Sequence, residues 1–560
     1  MAITALFALI YAVVFVIGVW FLPSSFWGLI IMIGITVGMV LFQYLISPYI
    51  IGWLYKIDWI PYEQFAMSYP HLANSLDKVV SINGIKVPRL GIIHDGNPNA
   101  FTFGHTKNNA RVVITDGILK YLNEKEQNAV FAHELGHVVH SDFILMTIVF
   151  AIPLVLLTIA RWAYYASFFS RSSRRDSDEA SAITAALIVI AALSYVSYYI
   201  GYLISLIVSR IREYYADEHS AEVLEDPNAL STGLVKIAYG LLVDGKVEER
   251  KKSRVRGLRG LGIFDPSSAK GLGIMSVGSQ GKFSQDAIQA AAAWDLFNPW
   301  AKYYQAFSTH PLPAKRIMRL NEQCATYGLT PEIDFSLAKE LKEKQAGKSM
   351  TDEFLTDLFV KSLPTLIFIA LLAITIVWIF ALAGFFTIGF LTAQNILLLW
   401  AIGFYLIGFG AIIKTKFMYK SGFEPKTVLD LVTNVKVSPI RNVPAIVEGK
   451  IIGKGIPGYY FSDDMYFQDH TGLMYIDYRF GIGIVDFFFA ISKVKRLIGQ
   501  RVRIKGWYRR GPSPYIQVDT IESESGARHR NYAKHMRYIW VFFEFLLGVL
   551  FLYLWFQAII

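Results

Sequence analysis

The sequence predicts a mainly α, multi-pass membrane protein of about seven transmembrane helices, with a mixed α and β soluble portion and a small C-terminal β-barrel. Three observations carry this. Of 560 residues, 54% are apolar and 15% aromatic, and mean hydropathy is +0.39, above the range of ordinary soluble domains. Apolar runs long enough to cross a bilayer, about 20 residues each, alternate with charged stretches. Residues 440–525 instead read as short alternating segments broken by Gly, Pro and "TG" turns, the pattern of antiparallel strands.

The elements follow in chain order. Residues 2–55 carry no charged side chain, and "PSS" at Pro23–Ser25 divides them into two spans. No basic segment precedes the first apolar run, so a cleaved signal peptide is not expected. Residues 56–142 are mixed and globular. Spans three and four occupy 143–169, with a kink expected at Pro153, and 182–209, joined by the polar "RSSRRDSDEA". A soluble stretch covers 210–357. Spans five and six follow within 358–416, near 361–386 and 389–414. A barrel is expected over 427–527 and a seventh span over 538–560.

With seven crossings, the three large soluble stretches share one side of the membrane. Arg161, Arg171, Arg174 and Arg175 are the only Lys or Arg residues on the far side; the rest of the 54 lie on the near side. The positive-inside rule makes that near side the cytosol, and it reads the net charge of +10 as cytosolic loops rather than a nucleic-acid footprint. One cysteine, Cys324, excludes an intramolecular disulfide.

The chemistry concentrates in "FAHELGHVVHSD", Phe131–Asp142. Asn123 and Glu126 form a capping-box pattern, so a helix should begin near Glu124. On it His133 and His137 lie four residues apart, one turn above the other. Two imidazoles so placed can grip one metal ion, and Glu134 beside them can reach a water on it. This is the H-E-x-x-H pattern, in which the glutamate serves a metalloprotease as general base. The third ligand is sought in "SRIREYYADEHSA", Ser209–Ala221, where Glu213 and Asp217 are also four apart. Glu213 completes a His₂Glu set that leaves a fourth position for water, and Asp217 can hold the second nitrogen of a ligating histidine. The plainer reading is a solvated helix face beside Arg210 and Arg212.

His137 precedes Phe143 by about 9 Å of helix, and Glu213 follows Ser209 by about 6 Å. Both belong at the mouths of spans three and four, on one membrane face. His140 lies near the same helix face and reads as a supporting or packing residue; His219 reads as surface.

These segments, with "NAFTFG" (Asn99–Gly104), "VITDGIL" (Val113–Leu119), "REYYAD" (Arg212–Asp217) and "STHPLPAKRI" (Ser308–Ile317), resemble the M48 membrane zinc metallopeptidases, the HtpX and Ste24 group, over roughly residues 1–325. The resemblance implies a gluzincin-type α+β protease domain with one Zn²⁺ per chain on His133, His137 and Glu213, and Glu134 as base. It also implies that His310 and Arg316 reach the active site and can stabilise the oxyanion. Asn99, Ala100, Phe101, Thr102, Phe103 and Gly104 would form an edge strand to which substrate adds as another strand. The implied task is degradation of misfolded or damaged membrane proteins, with membrane or membrane-proximal proteins and the bilayer as partners. A prenyl-protein (CaaX-type) processing protease and a non-catalytic scaffold are the alternatives. Oligomeric state is left open.

Within the soluble stretch, "ERKKSRVRGLRG" (Glu249–Gly260) reads as a basic loop, and "AAAAWDLFNPWAKYY" (Ala290–Tyr304) as a helix followed by an aromatic turn. The barrel is expected to be OB-like. Its "GWYRR" (Gly506–Arg510) could serve nucleic acid, but Trp507 and Tyr508 read as core and the arginines as membrane-facing surface, so a nucleic-acid partner is not expected. "GIGIVDFFFAI" (Gly481–Ile491) is apolar enough to touch the bilayer or the protease domain.

Overall fold

Six helices are long and apolar enough to cross a membrane, among the described residues of a computed structural model. Those residues are 10–11, 13–14, 26–173, 178–247, 285–345, 350–382, 389–390, 392–454, 465–478, 494–524 and 526–560. Most of the first of the seven expected spans (all but 10–11 and 13–14), the basic loop at 249–260 and the apolar segment at 481–491 lie outside them. Contacts divide the chain into two units, Met1–Gly273 with Tyr303–Asp334, and Ile274–Lys302 with Phe335–Ile560.

The first unit begins with the apolar helix α1 (Phe26–Leu54), then β1 (Asp58–Ile60), α2 (Tyr62–Ser68), α3 (Pro70–Asn83), β2 (Arg89–Ile93), β3 (Ala100–Gly104), β4 (Ala110–Thr115) and α4 (Asp116–Tyr121). The strands form one sheet in the order β1-β2-β4-β3, with β2 and β4 parallel and β3 antiparallel to β4. Among the described residues β3 is therefore an edge strand. Its alternation sends Phe101 and Phe103 into a cluster with Ile51 and Tyr55 of the α1 end, and Thr102 to the opposite face.

Helix α5 (Glu124–Val139) carries the expected capping box: Asn123 accepts from the Glu126 amide, and Glu126 accepts from that of Asn123. The apolar α6 (Asp142–Ser173) and α7 (Asp178–Leu224) pack along one another, Gly201 against Pro153 and the Ser205 hydroxyl donating to the Val149 carbonyl at 2.8 Å. Helix α7 runs 47 residues, about 70 Å at 1.5 Å per residue, well beyond the ~30 Å hydrocarbon core. The fourth expected span and the Glu213 segment are thus one continuous helix. Then come α8 (Pro227–Val247) and, later in the chain, α11 (Pro313–Cys324).

The second unit contains α9 (Gln285–Phe297), the start of α10 (Pro299–Ala306), α12 (Ser336–Gln345), the apolar α13 (Met350–Leu382) and α14 (Ala393–Met418), β5 (Glu424–Pro425) and α15 (Val428–Val432). It continues with β6 (Val443–Lys454), β7 (Met465–Gln468), β8 (Leu473–Asp477), α16 (Val494–Leu497), β9 (Arg501–Arg510), β10 (Pro514–Ser523), β11 (Arg528–Arg530) and the apolar α17 (Ala533–Gln557). Five strands close a ring, β6-β7-β8-β10-β9 and back to β6, in which only β8 and β10 run parallel. A strand ring closed in this way leaves no free edge to protect along it.

Three expectations are corrected here. Ala290–Tyr304 is not a helix and a turn but parts of two helices, α9 and α10, broken at Asn298, whose side-chain oxygen accepts from the Trp300 amide. That insert does not belong with its sequence neighbours. Trp294 Nε1 donates to the Val437 carbonyl and Asn298 Nδ2 to that of Val435, both at 2.7 Å, so α9 packs with the barrel unit. Finally, Trp507 and Tyr508 are core as expected, but Arg509 and Arg510 are buried with them. Arg510 stacks over Trp294 and pairs with Asp295 at 3.2 Å. Arg509 stacks over Tyr419 and donates to the Met418 carbonyl. Aromatic faces and paired groups let these guanidiniums be buried at all.

Candidate active site

Helix α5 presents His133 and His137 on one face, their rings 4.9 Å apart. Between them Gly136 has no side chain, and α7 passes close by: a Cβ there would lie 3.1 Å from the Ala216 Cα. This approach brings Glu213 to the histidines. Its Oε2 lies 3.8 Å from His133 Nε2 and its Oε1 3.9 Å from His137 Nε2. One ligand atom from each of the three lies within 4.8 Å of the others.

The other ring nitrogens meet carboxylates. His133 Nδ1 lies 3.0 Å from Asp217 Oδ1, and His137 Nδ1 lies 2.7 Å from Asp142 Oδ2. Both imidazoles are thereby oriented with Nε2 toward Glu213, the arrangement metal-ligating histidines favour. His133 is fully buried, and its Nε2, like Glu213 Oε2, is a buried polar atom without a hydrogen-bond partner. Such atoms are costly unless something coordinates them. Two imidazoles and a carboxylate suit a divalent zinc ion and leave a position open, so the residues fit the group.

Glu134 is buried beside the cluster, and Thr102 of β3 donates to its Oε2 at 2.7 Å. The edge strand and the glutamate are joined by that contact. His310 comes from the turn before α11, with Nε2 3.5 Å from Glu213 Oε1. Arg316, on α11, is 0% exposed. Its Nε and Nη2 donate to the two Asp217 oxygens at 2.9 and 2.6 Å, and its Nη1 lies 3.4 Å from Glu213 Oε2. Burial works to lower the Arg316 pKa, but Asp217 and Glu213 outweigh it and hold it above its ordinary value.

His140 ends α5 and stands apart from the cluster, its ring 6.0 Å from Tyr215 and 5.9 Å from His219. Burial and then Arg212 lower its pKa. His219, expected on the surface, is buried against Gly136 and His140. Sequence reasoning passed over Asp142 and Arg212, although both lie in the quoted motifs. Arg212 Nη2 pairs with Asp142 Oδ1, so the aspartate is held while it meets His137. The only available signal was an acid five residues past His137, a spacing with no meaning on a continuous helix. Ser141 supplies the missing geometry: its φ of +59° turns the chain and returns Asp142 to the histidine.

A helix-borne histidine pair, a carboxylate from a second helix and a buried glutamate at a sheet edge define the class as metal-dependent hydrolases. Residues 70–324 match the sequence profile of Peptidase family M48. A protease HtpX homolog of Methanothermobacter thermautotrophicus is 37% identical over 264 residues, 47% of this chain and 91% of that protein. Protease HtpX homologs of Pyrococcus furiosus and Paraburkholderia phytofirmans are each 29% identical, over 56% and 53% of this chain and 92% and 88% of their own lengths. The chain belongs to peptidase family M48, on its HtpX-like side, and is a membrane metallopeptidase.

Proposed function

We propose that this protein is a zinc-dependent endopeptidase embedded in the cell membrane, with its active site facing the cytosol, that degrades misfolded or damaged membrane proteins. The observation that carries this is the convergence of His133, His137 and Glu213 within 4.8 Å, beside Glu134 and the edge strand β3. One zinc ion on those three residues would supply a Lewis acid for the scissile carbonyl and lower the pKa of a water.

Glu134 takes a proton from the attacking water and returns it to the leaving amine. Thr102 fixes its carboxylate through one oxygen. Asp217 and Asp142 set the tautomers of His133 and His137. His310 donates to the developing oxyanion. Arg316 is best assigned a positioning role: fully buried behind Asp217 and Glu213, it neutralises and holds both carboxylates rather than meeting the oxyanion. Residues 99–104 accept an extended substrate segment along the β3 edge. The cytosolic assignment rests on the distribution of Lys and Arg. The membrane substrate rests on the shortness of the path from apolar helix to ligand on both α6 and α7.

The test uses the full chain in proteoliposomes. Metal analysis should give about one zinc per chain, and an unfolded membrane-anchored reporter should be cut. Cleavage of a prenylated peptide with the reporter left intact would transfer the enzyme to prenyl-protein processing. Labelling Lys339→Cys with a membrane-impermeant maleimide, in a Cys324→Ser background, should succeed only in inside-out vesicles.

A further inference from the structure

Helix α14 leaves its apolar stretch through "KFMYKS", Lys416–Ser421, and α17 enters its own through "AKHMRY", Ala533–Tyr538. The two helices pack closely, Gly408 against the Phe545 ring and Gly548 against Tyr405. Their polar ends meet at a shallow, solvent-open recess of about 540 Å³ lined by Lys416, Tyr419, Lys420, Ser421, Lys534 and Tyr538, most of them exposed. Three of the six are lysines and none is acidic.

The wall is fixed rather than loose. Arg537 Nε donates to the Tyr419 hydroxyl at 3.2 Å, Arg509 stacks over the Tyr419 ring, and Trp507 meets that ring edge-on at 4.7 Å. Trp507 Nε1 also donates to the Lys420 carbonyl at 2.8 Å. Strand β9 thus holds the cavity wall in place. Three lysines with no acidic residue among the lining give this surface a positive field that suits an anion. The hydroxyls of Tyr419, Ser421 and Tyr538 add donors suited to phosphate oxygens. The recess sits where two apolar helices end, the depth of lipid headgroups, and Tyr538 is the amphipathic residue common there.

We propose that this recess binds a phosphate group, supplied by the headgroup of an anionic phospholipid. Free inorganic phosphate offers the same chemistry, so the test separates the two. The full chain in detergent is titrated with phosphatidylglycerol and with phosphatidylcholine, and retained lipid is counted by native mass spectrometry. Wild type should favour phosphatidylglycerol by about tenfold or more. Replacing Lys416, Lys420 and Lys534 together by Gln should abolish the preference, and replacing them by Arg should keep it. Removing the same charge elsewhere, with Lys339→Gln, Lys450→Gln and Arg528→Gln, should also keep it. Should the triple Gln variant fail to fold, Lys420→Gln and Lys534→Gln are read singly, each with a severalfold loss expected. Retained preference in the Gln variants, or equal loss in the charge control, overturns the site. Displacement of the lipid by inorganic phosphate alone overturns the assignment to a headgroup.

Discussion

Glu134 holds one oxygen against Thr102 and is not among the three grouped ligands, so its replacement separates metal binding from chemistry. Glu134→Gln should keep zinc and lower turnover by about 10³-fold or more, since an amide cannot accept the proton of water. Wild-type-like turnover would remove Glu134 from the mechanism. The ligands should behave oppositely. His133→Ala, His137→Ala and Glu213→Ala should each strip the metal, whereas His140→Ala, outside the cluster, should retain it. Asp142→Asn probes the residue that the sequence did not disclose. It preserves shape but no longer favours Nδ1–H on His137, so zinc affinity should fall about 10- to 100-fold, measured by competition with a chromophoric chelator. Unchanged affinity would reduce Asp142 to a partner of Arg212.

At the scale of elements, what could be read in advance was whatever local periodicity encodes. The capping box and the helical pair His133 and His137 express helical spacings, the barrel strands a spacing of two, and the membrane helices the length of unbroken apolar runs. What could not be read depends on how elements cross. Gly136 stands in the middle of the zinc motif, yet its role appears only when α7 lies against α5. Asp142 has value only because Ser141 takes a positive φ. Both junctions are testable. Gly136→Val should push α7 away from α5 and lose zinc, while Gly136→Ala, needing a shift of a few tenths of an ångström, should weaken it modestly. Ser141→Gly should be tolerated, whereas Ser141→Ile, β-branched at positive φ, should cost about 1–3 kcal/mol and lower zinc affinity. Thermal melts with zinc titrations check both pairs. If Gly136→Val binds zinc like wild type, close approach of the helices is not what seats Glu213.

At the scale of the whole molecule, the extension after residue 324 is not a simple appendage to a family core. Residues 285–302 fall inside the span that matches the M48 profile, yet they pack in the same unit as the barrel. Hydropathy could not reveal this, because "AAAAWDLF" reads as an ordinary amphipathic helix and "WYRR" as an ordinary strand end. The connection is made by two buried groups 215 positions apart in sequence, Asp295 and Arg510. Deleting 427–560 would therefore strip α9 of the Val435 and Val437 carbonyls that receive Asn298 and Trp294, and of the guanidinium beside Asp295. A truncated chain should aggregate or lose α9 rather than persist as a clean protease core. A point change tests the same idea without deleting a span. Arg510→Met leaves the Asp295 carboxylate buried without its cation, a loss of about 3–5 kcal/mol for this kind of pair. In a unit of this size that corresponds to a fall of roughly 10 °C in melting temperature. Arg510→Met combined with Asp295→Leu replaces both charges by apolar groups of similar volume and should recover most of the loss, because the uncompensated charge, not the missing attraction, carries the cost. Scanning calorimetry on the wild type, the single and the double variant decides it. A double variant as unstable as the single one would show that Arg510 contributes through its stacking on Trp294, and that the ion pair does not join the insert to the barrel.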